Sequence, residues 1–139
     1  MKTPNGSVRT LRSPGMEPER VRRFFIISGC SGGGKSSLIA ELARHGFAAI
    51  EEPGRRVVRE ELASGGNALP WIDAVAFVQQ ITAIAQADFE AARTLPGPVF
   101  FDRGLIDAAV ARDHLSGEAA LTELAARYRY ASPVFLAPP

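Results

Sequence analysis

The sequence predicts an α/β fold, a parallel β-sheet with helices on both faces. Three observations carry this. Short apolar runs of strand length recur along the chain: "FFIIS" (24–28), "FAAIE" (47–51), "VFFD" (99–102) and "PVFLA" (133–137). Between them lie stretches with helical periodicity, long enough to cross from one parallel strand to the next. The first run opens directly into the glycine-rich stretch "GCSGGGKS" (29–36), which is followed by an amphipathic segment.

Each element has its own signals. Phe24–Ser28 is apolar throughout, as a strand buried on both faces requires. In "KSSLIAELARHG", Leu38, Ile39, Leu42 and Ala43 recur at helical spacing and Gly46 supplies a stop. "FAAIE" is the second strand. "GRRVVREELASGG" is a helix ending in a glycine turn, with Val57, Val58 and Leu62 as its expected buried stripe. Asp73 is the expected N-cap of the longest helix, which runs to about Leu95, with Ile72 and Phe77 as a hydrophobic staple. Val75, Val78, Ala85, Phe89 and Ala92 line one row of it, beside Phe77, Ile81 and Ile84. "PGP" (96–98) ends this segment, and "VFFD" forms the third strand. Helices follow from Gly104 to about His114 and over 118–130, and "PVFLA" is the fourth strand.

Length and composition restrict the function classes. The 139 residues make one domain, and their 46% apolar content is that of a soluble globular chain. No apolar run approaches the roughly 20 residues that span a bilayer, and the N-terminus lacks the apolar stretch of a secretory signal. The expected location is the cytoplasm. Residues 1–23 carry six basic and two acidic side chains, and residues 24–139 carry ten and thirteen. The first segment, rich in Pro, Gly and Ser, is expected to be a disordered basic tail. The remainder is mildly acidic, which argues against a nucleic-acid-binding surface. Cys30 is the single cysteine, so an intramolecular disulfide is excluded. It needs no role beyond a small residue in the loop.

The chemistry centres on 29–36. Gly29, Gly34, Lys35 and Ser36 fit G-x-x-x-x-G-K-[ST], the P-loop or Walker A pattern. Glycines let backbone N–H groups turn inward around phosphate oxygens, and the following helix N-terminus adds partial positive charge. Gly29, Cys30, Ser31, Gly32, Gly33, Gly34, Lys35, Ser36 and Ser37 are the candidate residues for holding ATP or another nucleoside triphosphate. Lys35 is expected to reach the β- and γ-phosphates, and the Ser36 hydroxyl to ligate Mg²⁺.

Ligands of open α/β sheets sit outside the carboxyl ends of the strands. The second strand ends in "IEEP", with Glu51 and Glu52, and the third in "FFDR", with Asp102 and Arg103. Asp102 closes an apolar strand as a Walker-B aspartate does and is the candidate metal-linked acid, with helix capping as its other reading. Because strand side chains alternate, Glu51 and Glu52 face opposite ways, so one of them is the candidate base toward an acceptor hydroxyl. Arg103 is a candidate for steadying the transferred phosphate, or forms a surface ion pair.

"GCSGGGKSSL", "EEPGRR", "LPWID" and "VFFDRGLIDA" together resemble the P-loop domain family usually labelled predicted ATPases, of AAA type. That family is similar to nicotinamide riboside kinases and more distantly to deoxynucleoside kinases. The resemblance covers about residues 24–139 and implies strand order 2-3-1-4. Deoxynucleoside kinases place a Glu-Pro after the second strand, which maps onto Glu52-Pro53. The Glu-x-Gly/Ala-Arg motif of nicotinamide riboside kinases maps onto Glu52, Gly54 and Arg55. Both alignments select Glu52 as base, with Arg55 beside it. The acid–Arg pair after the third strand matches Asp102 and Arg103. A base-reading glutamine implies Gln80 within "FVQQ", although these positions also read as plain solvated helix. Trp71 either stacks on a substrate or packs at the helix entry. His45 and His114 read as helix C-terminal contacts.

The resemblance thus implies transfer of the ATP γ-phosphate, with Mg²⁺, to a small nucleoside-like hydroxyl acceptor. The alternative is a nucleotide-binding or slow NTPase module that regulates a partner. Members of the family continue past the fourth strand into an Arg-bearing lid, a helix and a fifth strand. None of these follows "LAPP", so an incomplete domain, or an inactive fragment of such an enzyme, is a further expectation.

Overall fold

The computed structural model describes residues 21–29, 34–117 and 119–137. The chain runs β1 (Phe24–Gly29), α1 (Lys35–Arg44), β2 (Ala48–Ile50), α2 (Pro53–Ser64), α3 (Ala74–Ala92), β3 (Val99–Asp102), α4 (Leu105–Ser116), α5 (Ala120–Arg127) and β4 (Val134–Ala137). The expected tail over 1–20 lies outside the described residues. Val21 and Arg23 are described and tied to the domain. The Val21 N–H donates to the Arg129 carbonyl at 2.8 Å, and the Arg23 guanidinium donates to the carbonyls of Leu95, Gly97 and Arg93.

All strand pairings are parallel and the sheet order is β2-β3-β1-β4. Register aligns Phe24 with Val99 and Ile27 with Asp102, so the carboxyl ends of β1 and β3 lie side by side. From β1 the chain moves outward to β2, then returns through β3 to β4. Right-handed crossovers therefore place α1 on one face and α2 to α5 on the other.

The main core lies on the second face. Phe24, Ile26, Val99 and Phe101 from the sheet meet Ala85, Phe89 and Ala92 of α3, Leu105 and Ala109 of α4, and Leu124 of α5. Phe89 is its hub: the rings of Phe24, Tyr128 and Tyr130 stand edge-on to it at 5.0–5.2 Å, a favoured aromatic geometry. On the first face Phe25 and Phe100 stack at 5.5 Å near α1.

The helix caps follow the sequence. Asp73 accepts from the Ala76 N–H at 3.1 Å, and Gly65 ends α2 in the left-handed region. Three expectations of burial differ. Leu62 is 61% exposed, Val75 is 38% exposed, and Ile72, the proposed staple residue, is also exposed. α2 packs on α3, with an ion pair between Arg56 and Asp88, and Val57 is its fully buried apolar residue. Among the described residues no helix is long and apolar enough to cross a membrane.

Candidate active site

The site is assembled where β1, β2 and β3 end. β1 delivers Gly29, and the chain re-enters at Gly34, whose φ of 84° suits glycine and starts α1 at Lys35. Cys30, Ser31, Gly32 and Gly33 lie outside the described residues. Lys35 is nonetheless buried, 4% exposed, at the first position of α1. Its Nζ lies 2.5 Å from Oδ1 of Asp102, itself 2% exposed. The parallel register of β1 and β3 explains this meeting of residues 67 apart. Each charge offsets the other's loss of water. Ser36 and Ser37 follow on the exposed first turn.

β3 turns into α4 through a strained residue. Arg103 has φ 61°, the one positive value outside glycine among the described residues, which costs about 1–2 kcal/mol for an L-residue. Its N–H still pairs with the Ile27 carbonyl at 2.9 Å. Its guanidinium donates to the Gly29 carbonyl at 2.9 Å and stands 3.9 Å from Oε2 of Glu52. The turn is braced from below: the Leu105 N–H donates to the Tyr130 hydroxyl at 2.9 Å, and the Gly104 N–H to Oδ2 of Asp107 at 2.9 Å. Asp107 Oδ1 also accepts from the Ser28 hydroxyl at 3.1 Å. Burial pushes the Tyr130 phenol well above its usual range.

The two adjacent glutamates, just past the end of β2, take different partners. Glu51 forms a two-point pair with Arg59 at 3.0 and 3.2 Å. That hydrogen bond holds its carboxyl below the usual range. Glu52 instead caps α2, accepting from the Arg55 N–H at 3.0 Å. Its carboxylate lines two cavities that share Glu52, Phe77 and Arg103. The inner one, about 220 Å³, runs between apolar Val78, Ile81, Ala108 and Ala111. The outer, about 670 Å³, adds Arg55, Arg59, Val58 and Leu62. The Arg55 guanidinium donates to Ser36 Oγ at 3.0 Å.

Lys35, Ser36, Asp102, Arg103, Glu52 and Arg55 therefore converge. Gln80 does not join them: it is exposed on α3 and lines neither cavity. Trp71, 64% exposed, lines neither as well. Asp107 and Tyr130 brace the site without having been singled out from sequence. The Gly104-x-x-Asp107 spacing is a capping signal legible in sequence, whereas nothing local to Tyr130 announces its partner.

The described part of the site offers two oxygen donors of the kind a hard cation takes, one hydroxyl and one carboxylate. Mg²⁺ prefers oxygen ligands, commonly one or two carboxylates completed by substrate phosphates and water. The Ser36 hydroxyl and Asp102 carboxylate are of that kind. Among the described residues no group of three or more His, Cys, Asp or Glu forms a self-sufficient metal cage.

No curated protein matches the chain. Among solved structures, a gluconokinase from Sinorhizobium meliloti 1021 is similar to it, at 18% sequence identity and a TM-score of 0.28, over 87% of this chain and 86% of that one. The model of the AAA domain family matches residues 24–139, from the start of β1 through the last residue. The chain is a P-loop, nucleotide-binding protein and belongs to the AAA domain family.

Proposed function

We propose that this protein is a phosphotransferase that moves the ATP γ-phosphate to the hydroxyl of a small, nucleoside-like acceptor. The observation carrying this reading is Glu52. It sits at the end of β2, lines a cavity with an apolar wall, and faces the same strand-end region as the buried Lys35–Asp102 pair. A bare nucleotide-binding loop has no need of a second carboxylate beside an apolar cavity. A transferase needs one to take the acceptor's proton.

In this reading Lys35 would engage the terminal phosphates of ATP, while Ser36 and Asp102 would hold Mg²⁺, which would offset phosphate charge. Glu52 accepts the proton of the acceptor hydroxyl. Arg103, fixed by Gly29 and aimed at Glu52, steadies charge on the transferred group. The inner cavity, about 220 Å³, is the space offered to the acceptor in this reading. Phe77 and Ile81 supply its apolar contact.

A slow NTPase is the second reading, favoured by the exposure of Arg55 and Leu62 at the outer cavity, which admits water as acceptor. Acceptor dependence separates the two. ADP formed at one rate across a nucleoside panel, with no phosphorylated product, selects the NTPase.

A further inference from the structure

The inner cavity is lined from α3 by Phe77, Val78 and Ile81 and from α4 by Ala108 and Ala111. Its polar groups are largely used within the chain. The two oxygens of Asp107 accept from the Ser28 hydroxyl and the Gly104 N–H. Pro53 has no N–H, the Phe77 N–H donates to the Asp73 carbonyl at 3.0 Å, and the other wall residues of α3 and α4 lie inside those helices. Arg103 Nη2 is committed to the Gly29 carbonyl. Among the described residues, Oε2 of Glu52 and Nη1 of Arg103 remain without a hydrogen bond, since at 3.9 Å they are too far apart to form one with each other. Gln80, a polar side chain of α3, is exposed and outside the cavity.

The polar lining thus stands at the Glu52 end, and the wall between α3 and α4 offers the body of an acceptor only apolar contact. Ala108 and Ala111 are three apart, on one face of α4, and face branched and aromatic residues across the space. We infer that the inner cavity takes an alcohol with a compact apolar body, chosen by size and against buried polar substituents, and that Ala111 sets the size. A pocket built to hydrogen-bond its ligand rejects analogues lacking that group, whereas an apolar pocket discriminates by fit and by the cost of burying an unpaired polar atom. A nucleoside-like acceptor meets this requirement with its polar edge turned to the outer cavity, where Arg55 and Arg59 lie. All of this rests on the reading that Glu52 takes the proton of the acceptor hydroxyl.

The test is an NMR titration of the full chain, without nucleotide, using two probes. One is cyclohexylmethanol; the other is the trans diol carrying a second hydroxyl at the opposite ring carbon. Cyclohexylmethanol shifts the amides of residues 77–81 and 108–111. The diol binds about tenfold or more weakly, because its second hydroxyl is buried unpaired. Ala111→Leu weakens cyclohexylmethanol by about tenfold or more, and Ala111→Val weakens it less, in the same direction. Val110→Leu, on the exposed side of α4, leaves it within about twofold. Equal or tighter binding of the diol, unchanged affinity in Ala111→Leu, or no shift at these amides overturns the inference. Incubating cyclohexylmethanol with γ-labelled ATP and Mg²⁺ separates the two claims: label in inorganic phosphate alone counts against the transferase reading and leaves the preference of the cavity standing.

Discussion

Glu51 and Glu52 are neighbours in the chain with opposite fates. The first is locked to Arg59 on the exposed side of α2, and the second lines the cavities at the strand ends. Both lie just past the end of β2, and the proline-started α2 fixes Glu52 as its N-cap.

That separation predicts unequal mutants. Glu52→Gln keeps an oxygen for the Arg55 N–H but removes the base, so phosphate transfer falls by about 100-fold or more while ATP affinity persists. Glu51→Gln breaks an exposed pair, costs under about 1 kcal/mol of stability and leaves transfer intact. Product analysis beside nucleotide titration checks both.

Lys35→Ala removes one partner of a buried ion pair and leaves Asp102 uncompensated. Stability falls by about 3 kcal/mol or more, and the rise in melting temperature on adding ATP with Mg²⁺ disappears. Denaturant titration and thermal melting with ligand read the two effects separately.

The phenol of Tyr130 predicts an alkaline limb. Its folded pKa is raised above the unfolded value of about 10. Its contribution is therefore whole below that pH and is lost as pH climbs beyond it, because the unfolded chain releases the proton first. Tyr130→Phe lowers stability by about 1–2 kcal/mol at neutral pH, since the Leu105 N–H loses its acceptor. It also flattens the decline above about pH 10 relative to wild type. Urea midpoints across this range test it.

Gly104 serves the site by lacking a side chain. A Cβ there would lie 2.7 Å from Ile26 Cδ1 and 3.1 Å from Tyr130 Cζ, both in the packed core. Gly104→Ala costs about 1–3 kcal/mol. It shifts the turn carrying Asp102 and Arg103, so kcat falls more than KM rises.

Much of this was legible in the sequence because it depends on local pattern. Apolar runs located the strands, the Asp73 signal located the start of α3, and the resemblance supplied the strand order. Other features were not legible. Helical periodicity tells which residues share a face, and cannot say whether anything covers it. Leu62 and Val75 accordingly fall on apolar stripes yet remain exposed. Arg55 meeting Ser36 and Tyr130 meeting Leu105 join distant stretches through the fold alone. Arg103 gave no warning of its left-handed backbone, since the strain is set by the turn that β3 must make into α4.

The central claim is that Glu52 and the P-loop act together in transfer to an organic hydroxyl. The most direct measurement incubates the protein with γ-labelled ATP, Mg²⁺ and a panel of nucleosides, then separates products. The account predicts label in a phosphorylated nucleoside, with loss of that product in Glu52→Gln and retention in Glu51→Gln. Label found in inorganic phosphate alone, at a rate indifferent to the panel and to Glu52, would contradict it.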